Sequence, residues 1–131
     1  MADVPVLDSD VLIDYLRGSG PGREAVRGLI HGGGYRVTAV TAFELALGRS
    51  YREKPRPVHA LLAAPHLTLS RRAALRGGEL LSHLREAGAA IDVRDAMQAG
   101  ICLEAGATLV TRNGAHLGRV PNLSIMHPGE L

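Results

Sequence analysis

Short apolar runs that alternate with segments of helical periodicity constrain this chain more than any other feature. The runs are Val4–Leu7, Tyr35–Val40, Leu67–Leu69, Thr108–Val110 and Leu123–Met126. Each has the length of a strand rather than a helix. Between them, apolar residues recur at three- and four-residue spacing. Val11, Leu12, Tyr15 and Leu16 mark a first helix, and Val26, Leu29 and Ile30 line the inner face of a second over Arg23–His31. Gly18-Ser19-Gly20-Pro21-Gly22 and Gly32-Gly33-Gly34 end them. Thr41 opens a third helix that runs through Phe43, Leu45 and Leu47 to about Tyr51. Pro55 and Pro57 mark a turn, and a short helix to Ala64 follows. Ser70 caps a long helix, Arg71–Ala87, with Leu75, Leu80, Leu81 and Leu84 inward and Gly88 closing it. Asp92–Glu104 is the last helix, with Gly106 as its C-cap. Such alternation predicts an α/β fold of three layers, α/β/α, around a short, mainly parallel central sheet. A chain of 131 residues suits one domain, 1–131, with a core that needs no staples.

Several classes are excluded. Cys102 is the single cysteine, so no internal disulfide forms, and its place in Ile101–Leu103 reads as a small buried hydrophobe in a reducing compartment. No apolar stretch approaches the ~20 residues of a spanning helix. Met1-Ala2-Asp3-Val4-Pro5 lacks the basic and apolar parts of a secretory leader, so a cytoplasmic location is expected. The net charge of +2 is too mild to mark a nucleic-acid binder. Lys54 is the only lysine; the remaining basic positions are arginine. That choice suits phosphate recognition, and equally a genome biased toward arginine codons.

Ligands of open parallel sheets bind at the carboxyl ends of the strands. Asp8 follows the first strand, Glu44 lies in the first turn of the helix after the second, and Asp95 lies in the first turn of Asp92–Glu104. Thr111-Arg112-Asn113 leaves the Thr108–Val110 strand. All converge on one rim in this topology. Gathered carboxylates repel, and desolvation adds to the cost of their charge. A hard divalent cation such as magnesium or manganese relieves both, and can activate water for attack on phosphorus. With no His/Cys set alongside, the acids point to phosphate chemistry rather than zinc hydrolysis. Structural roles stay open for each acid. Asp8 suits an N-cap, Thr41-x-x-Glu44 matches a capping box, Asp92-x-x-Asp95 is similar, and acids favour first turns. Asp10 and Asp14, four apart, repel slightly. One of them reaches a metal-bound water or a partner arginine, or both face solvent.

Val6-Leu7-Asp8-Ser9-Asp10-Val11-Leu12-Ile13-Asp14 resembles the opening signature of PIN domains. Thr41-Ala42-Phe43-Glu44-Leu45-Ala46-Leu47-Gly48 resembles the second motif of that family. Asp95-Ala96-Met97-Gln98-Ala99-Gly100 occupies the place of the third. Leu109-Val110-Thr111-Arg112-Asn113, His116-Leu117, Val120-Pro121 and Leu123 are similar to the closing segment. The motifs stand in family order over almost the whole chain, and the bare domain is similar to VapC-type toxins. The resemblance implies a magnesium- or manganese-dependent endoribonuclease that uses water as nucleophile. It implies Asp8, Glu44 and Asp95 as metal-holding acids, Asp8 and Asp95 foremost, with Asn113 completing the catalytic set. Ser9, Thr111 and His116 would support the acids or touch substrate; a strand-end hydroxyl and a surface-loop histidine are the plainer readings of the last two. Arg71, Arg72 and Arg76 either contact RNA phosphates or form a solvated helix face. A small VapB-like antitoxin, a homodimer and a higher toxin–antitoxin assembly are the implied partners.

This chain departs from the family pattern in places. Asn113 stands where many relatives have Asp, which makes one metal the expectation rather than two. Gln98 and Gly100 replace residues that are usually aliphatic or alanine. Two alternatives remain: a PIN-like module that binds RNA or a partner without cleavage, and a haloacid-dehalogenase-type phosphatase with Asp8 as nucleophile. Against the second, Gly-Thr does not follow Asp10 and Lys54 sits among prolines.

Overall fold

The computed structural model describes residues 4–131, so the part of the leader expectation that turns on Met1–Asp3 lies outside the described residues. Strand β1 (Val6–Leu7) feeds helix α1 (Ser9–Arg17), which Gly18 ends in the left-handed conformation. Helix α2 (Pro21–His31) leads back to β2 (Val37–Thr38). Helices α3 (Ala39–Leu47), α4 (Arg49–Glu53) and α5 (Pro55–Leu61) precede β3 (His66–Leu67). The long α6 (Arg71–Glu86) and α7 (Val93–Ala105) follow, then β4 (Leu109–Val110), α8 (Gly114–Leu117), β5 (Ile125–Met126) and a 3-10 turn at Pro128–Glu130.

Every strand pairing among the described residues is parallel. β1 pairs with β4 and β4 with β5, while β2 pairs with β3. A parallel bridge, Val6 to Arg36, joins the two sets. It is tied by Leu7 N–H donating to the Arg36 carbonyl at 3.0 Å and Arg36 N–H donating to Pro5 at 2.8 Å. β1 is therefore central, with the chain winding away on either side of it. Such a switch point opens a crevice at the carboxyl ends of the flanking strands.

Alternation along the strands divides the core into two faces. Val6 and Leu109 face Leu81, Leu84, Ala96, Ala99 and Cys102 of α6 and α7. Leu7 and Val110 face Val11, Leu12, Val26, Leu45 and Val58 on the other side. The three-layer expectation holds for this reason. Helices α6 and α7 approach so closely that glycine is required at their crossing. A Cβ on Gly77 would stand 2.7 Å from the Ala96 carbonyl oxygen, and one on Gly100 would overlap that of Ala73. Gly100 thus has a packing reason.

Some expectations need correction. Thr38, not Thr41, caps α3: its backbone is extended and its hydroxyl accepts from the Thr41 N–H at 3.1 Å. Glu44 is consequently not in the first turn, and the Thr41–Glu44 capping box does not form. The helix expected to reach Tyr51 breaks at Gly48, whose extended backbone separates α3 from α4. Pro55 and Pro57 lie inside α5, with Pro55 in its first turn, where a missing N–H costs nothing. β3 is His66–Leu67 rather than Leu67–Leu69. Leu75 and Ile30, expected inward, are 59% and 48% exposed. The buried face of α6 runs through Ala73, Gly77, Leu81 and Leu84, and Leu75 lies off that stripe. Ile30 sits on the last turn of α2, one residue past the packed Leu29.

Candidate active site

The carboxyl ends of β1 and β4 meet the starts of α1 and α7, and the acids gather there. Asp8 is both N-cap and centre of the cluster. Its side chain accepts from Ser9 N–H at 2.9 Å, as a cap does. It also accepts from the Thr111 hydroxyl at 2.8 Å and from the Gln98 amide at 3.3 Å. It is only 6% exposed. Burial pushes its carboxyl above the usual range, against the pull of those hydrogen bonds.

Glu44, on the second turn of α3, accepts from the Ser9 hydroxyl at 3.1 Å and lies 3.8 Å from the Arg94 guanidinium. Asp95, in the first turn of α7, accepts from the Asn113 side-chain amide at 3.1 Å. Burial, then the charge of Asp8, raises both carboxyls. Arg94 offsets this in both, as does the nearby His116 for Asp95. Six of the seven sequence-derived candidates, Asp8, Ser9, Glu44, Asp95, Thr111 and Asn113, thus join in one place. His116, exposed on α8, reaches the site only through its charge on Asp95.

Asp10 and Asp14 do not form a solvated face. Asp14 is buried, bonded to Arg112 at 2.7 Å and to Gly22 N–H at 2.9 Å, so the arginine reading was right for it. Asp10 accepts from Arg112 N–H at 3.1 Å, while its Oδ1 is buried with no partner among the described residues. Burial and the Asp8 charge push its carboxyl up to about 7. The sequence left Asp10 open between the site and a solvated face and did not count it among the seven candidates; its position two residues after Asp8 was the available signal. Gln98 was missed as well, having been read only as a departure from an aliphatic. Asp92 caps α7 through Arg94 N–H at 2.8 Å, and Asp95 takes no part in a box. Arg72 and Arg76 pair with Glu104 at 3.3 and 3.2 Å on an exposed helix face away from the acids. Burial pushes the Cys102 thiol up to about 12, consistent with an inert core residue.

Among the described residues, no three Asp, Glu, His or Cys side chains close into a tight ligand set. The acids are instead spread around Asp8, which raises Asp10, Glu44 and Asp95 by its charge. The donors are all hard oxygens, and one buried oxygen is orphaned. Such a set fits a hydrated magnesium-type ion, which keeps several waters and takes only one or two carboxylates.

Solved structures share this architecture at low identity. VapBC2 of Rickettsia felis, bound to a DNA fragment from its promoter, has a chain 17% identical with a TM-score of 0.78, covering 95% of this chain and 98% of that one. DNA-bound VapBC of Salmonella typhimurium gives 19% and 0.78, over 96% and 99%. FitAcB of Neisseria gonorrhoeae gives 19% and 0.76, over 98% and 100%. At these identities the likeness is one of fold. No curated protein is significantly similar in sequence. The PIN domain family model matches residues 6–123, a span that holds every acid of the cluster and both strands that position them. This chain belongs to the PIN domain family.

Proposed function

We propose that the protein is a metal-dependent endoribonuclease, the toxin of a VapBC-like toxin–antitoxin pair, that hydrolyses RNA phosphodiesters with water as nucleophile. One observation carries the reading: at the carboxyl edge of a PIN-domain sheet, Asp8, Asp10, Glu44 and Asp95 gather on one rim, where burial and then the charge of Asp8 raise the other three carboxyls, a cost that a divalent cation would relieve. Asp8 and Asp95 would hold magnesium or manganese, with Glu44 and Asn113 completing the site. When bound, the cation supplies Lewis acidity, lowering the pKa of water and offsetting charge on phosphate oxygens.

The chain's own residues prepare the site. Thr111 and the Ser9 N–H hold opposite oxygens of Asp8. The Ser9 hydroxyl turns Glu44 toward the same crevice. Asn113 holds Asp95 by donating its amide Nδ2. Half-exposed Arg94, held only at 3.8 and 3.5 Å by Glu44 and Asp92, is free to turn to a substrate phosphate.

A VapB-like antitoxin is the proposed partner, within a homodimer or a larger assembly, and the cytoplasm the proposed location. No helix of the described residues is long and apolar enough to cross a membrane. Support for a protein partner comes from the solved complexes above and from Phe43 and Leu47. These lie four apart on α3 beside Glu44 and are 56% and 55% exposed. Clustered apolar side chains beside a site are a mark of contact surfaces. The second reading, a binding module without cleavage, draws on Asn113, which supplies no fourth charge.

The test is cleavage of a labelled RNA panel in magnesium, manganese or EDTA, with Asp8→Asn alongside. Metal-dependent cleavage lost in Asp8→Asn is the expected result. Folded, antitoxin-free protein that cleaves nothing in any condition would favour the binding module.

A further inference from the structure

Gln98 is 1% exposed in the middle of α7, at a position where an aliphatic side chain would fill the same space. An amide buried without partners is strongly unfavourable, and here its partners are all accounted for. Nε2 donates to Thr41 Oγ1 at 2.9 Å and to Asp8 Oδ1 at 3.3 Å, while Oε1 accepts from the Thr38 hydroxyl. Thr41 in turn donates to the Leu7 carbonyl at 3.3 Å, and Thr38 caps α3. An ionised Asp8 oxygen only accepts, so Nε2 must be the end that faces it.

These bonds have a common consequence. Asp8 starts α1, Thr38 and Thr41 start α3, which carries Glu44, and Gln98 lies one turn beyond Asp95 on α7. A single amide therefore touches each of the elements that present an acid. Packing does not ask for an amide here, but alignment of the acids does.

We propose that Gln98 is a positioning residue: by bridging Asp8 to the cap of α3 from within α7, it sets the direction of the Asp8 carboxylate relative to Glu44 and Asp95. This deepens the reading of the acids as a divalent-cation site and rests on it. Gln98 touches neither substrate nor metal and acts through Asp8.

The experiment compares wild type, Gln98→Leu, Gln98→Met and the core control Leu81→Val. Manganese affinity is measured by calorimetry without RNA, and backbone amide spectra are recorded in EDTA. Manganese binding in Gln98→Leu is expected to weaken about 10- to 100-fold, as for other supports of metal ligands. The metal-free amide signals of Asp8, Thr41 and Asp95 should shift or broaden. Leu81→Val should lower Tm yet leave both readouts as in wild type. Wild-type affinity and unmoved signals in Gln98→Leu would overturn the proposal. Gln98→Met replaces it if the leucine variant does not fold; failure of both to fold would make Gln98 an ordinary core residue. If wild type itself binds no manganese, the cation reading falls, and the metal-free signals alone decide the role of Gln98.

Discussion

The two ends of α7 obey different rules. Its C-terminal half packs on α6 through Ala99, Gly100 and Cys102, with Gly77 opposite and a solvated Glu104 pairing two arginines. Its N-terminal half carries Asp95 and meets Asp8 and Glu44, where burial raises each carboxyl and the charge of Asp8 adds to the shift of the other two. A fold whose local choices otherwise agree concentrates its conflicts where function is expected. The first end exists to be stable; the second is held in a state that stability alone would not select.

The largest effect that sharpens this contrast is at Asp8. Asp8→Asn should reduce cleavage to background while leaving metal-free Tm equal to or above wild type, because it removes the charge that its neighbours feel. A large fall in Tm in EDTA would show that the acid end is structural after all. Gly100→Ala should do the reverse, with the new Cβ meeting backbone rather than a yielding side chain. A loss of about 1–3 kcal/mol in urea unfolding is expected for such overpacking.

The pH response is the next effect. Burial and the Asp8 charge push the folded Asp10 carboxyl up to about 7 from an ordinary 3.8, so the folded state binds more protons than the unfolded state between those values. Asp8, Glu44 and Asp95 shift in the same direction. Their contribution is present at low pH and is lost as pH rises through the folded pKa. Metal-free protein should therefore lose Tm from about pH 4 to pH 7, opposite to the usual paired-carboxylate pattern, and manganese should restore it at the alkaline end. A metal-free Tm that rises steadily over that window would break the account. The smallest effect is expected at the exposed pairs. Arg72→Ala and Arg76→Ala should each change stability by less than about 0.5 kcal/mol, as exposed ion pairs do, with RNA cleavage unaltered.

Much of the site was legible along the chain because Asp8 and Asp95 stand beside a strand end or helix start, features set by local pattern, while Glu44 lies a turn further into its helix. Apolar periodicity set the strand ends and the helix start where Asp8, Thr111 and Asp95 stand, and the resemblance of the motifs to PIN domains, not cap chemistry, singled them and Glu44 out as site residues. What misled was also local. Thr41-x-x-Glu44 satisfies a capping box on paper, yet Thr38 reached the α3 N-terminus first, so Glu44 turned to Ser9 instead. Leu75 looked inward by composition, but the approach of α7 chose a stripe of small residues as the buried face.

The sequence by itself determined the alternating α/β plan and the order of its motifs, since apolar period and turn residues act over a few neighbours. Only the tertiary structure decided that Asp14 takes Arg112 while Asp10 keeps a bare oxygen, and that Gln98 reaches Asp8 across 90 positions of chain. Those outcomes depend on which helices come to lie against β1. Hydrogen bonds and buried charges are settled by distance in space, which no spacing along the chain records.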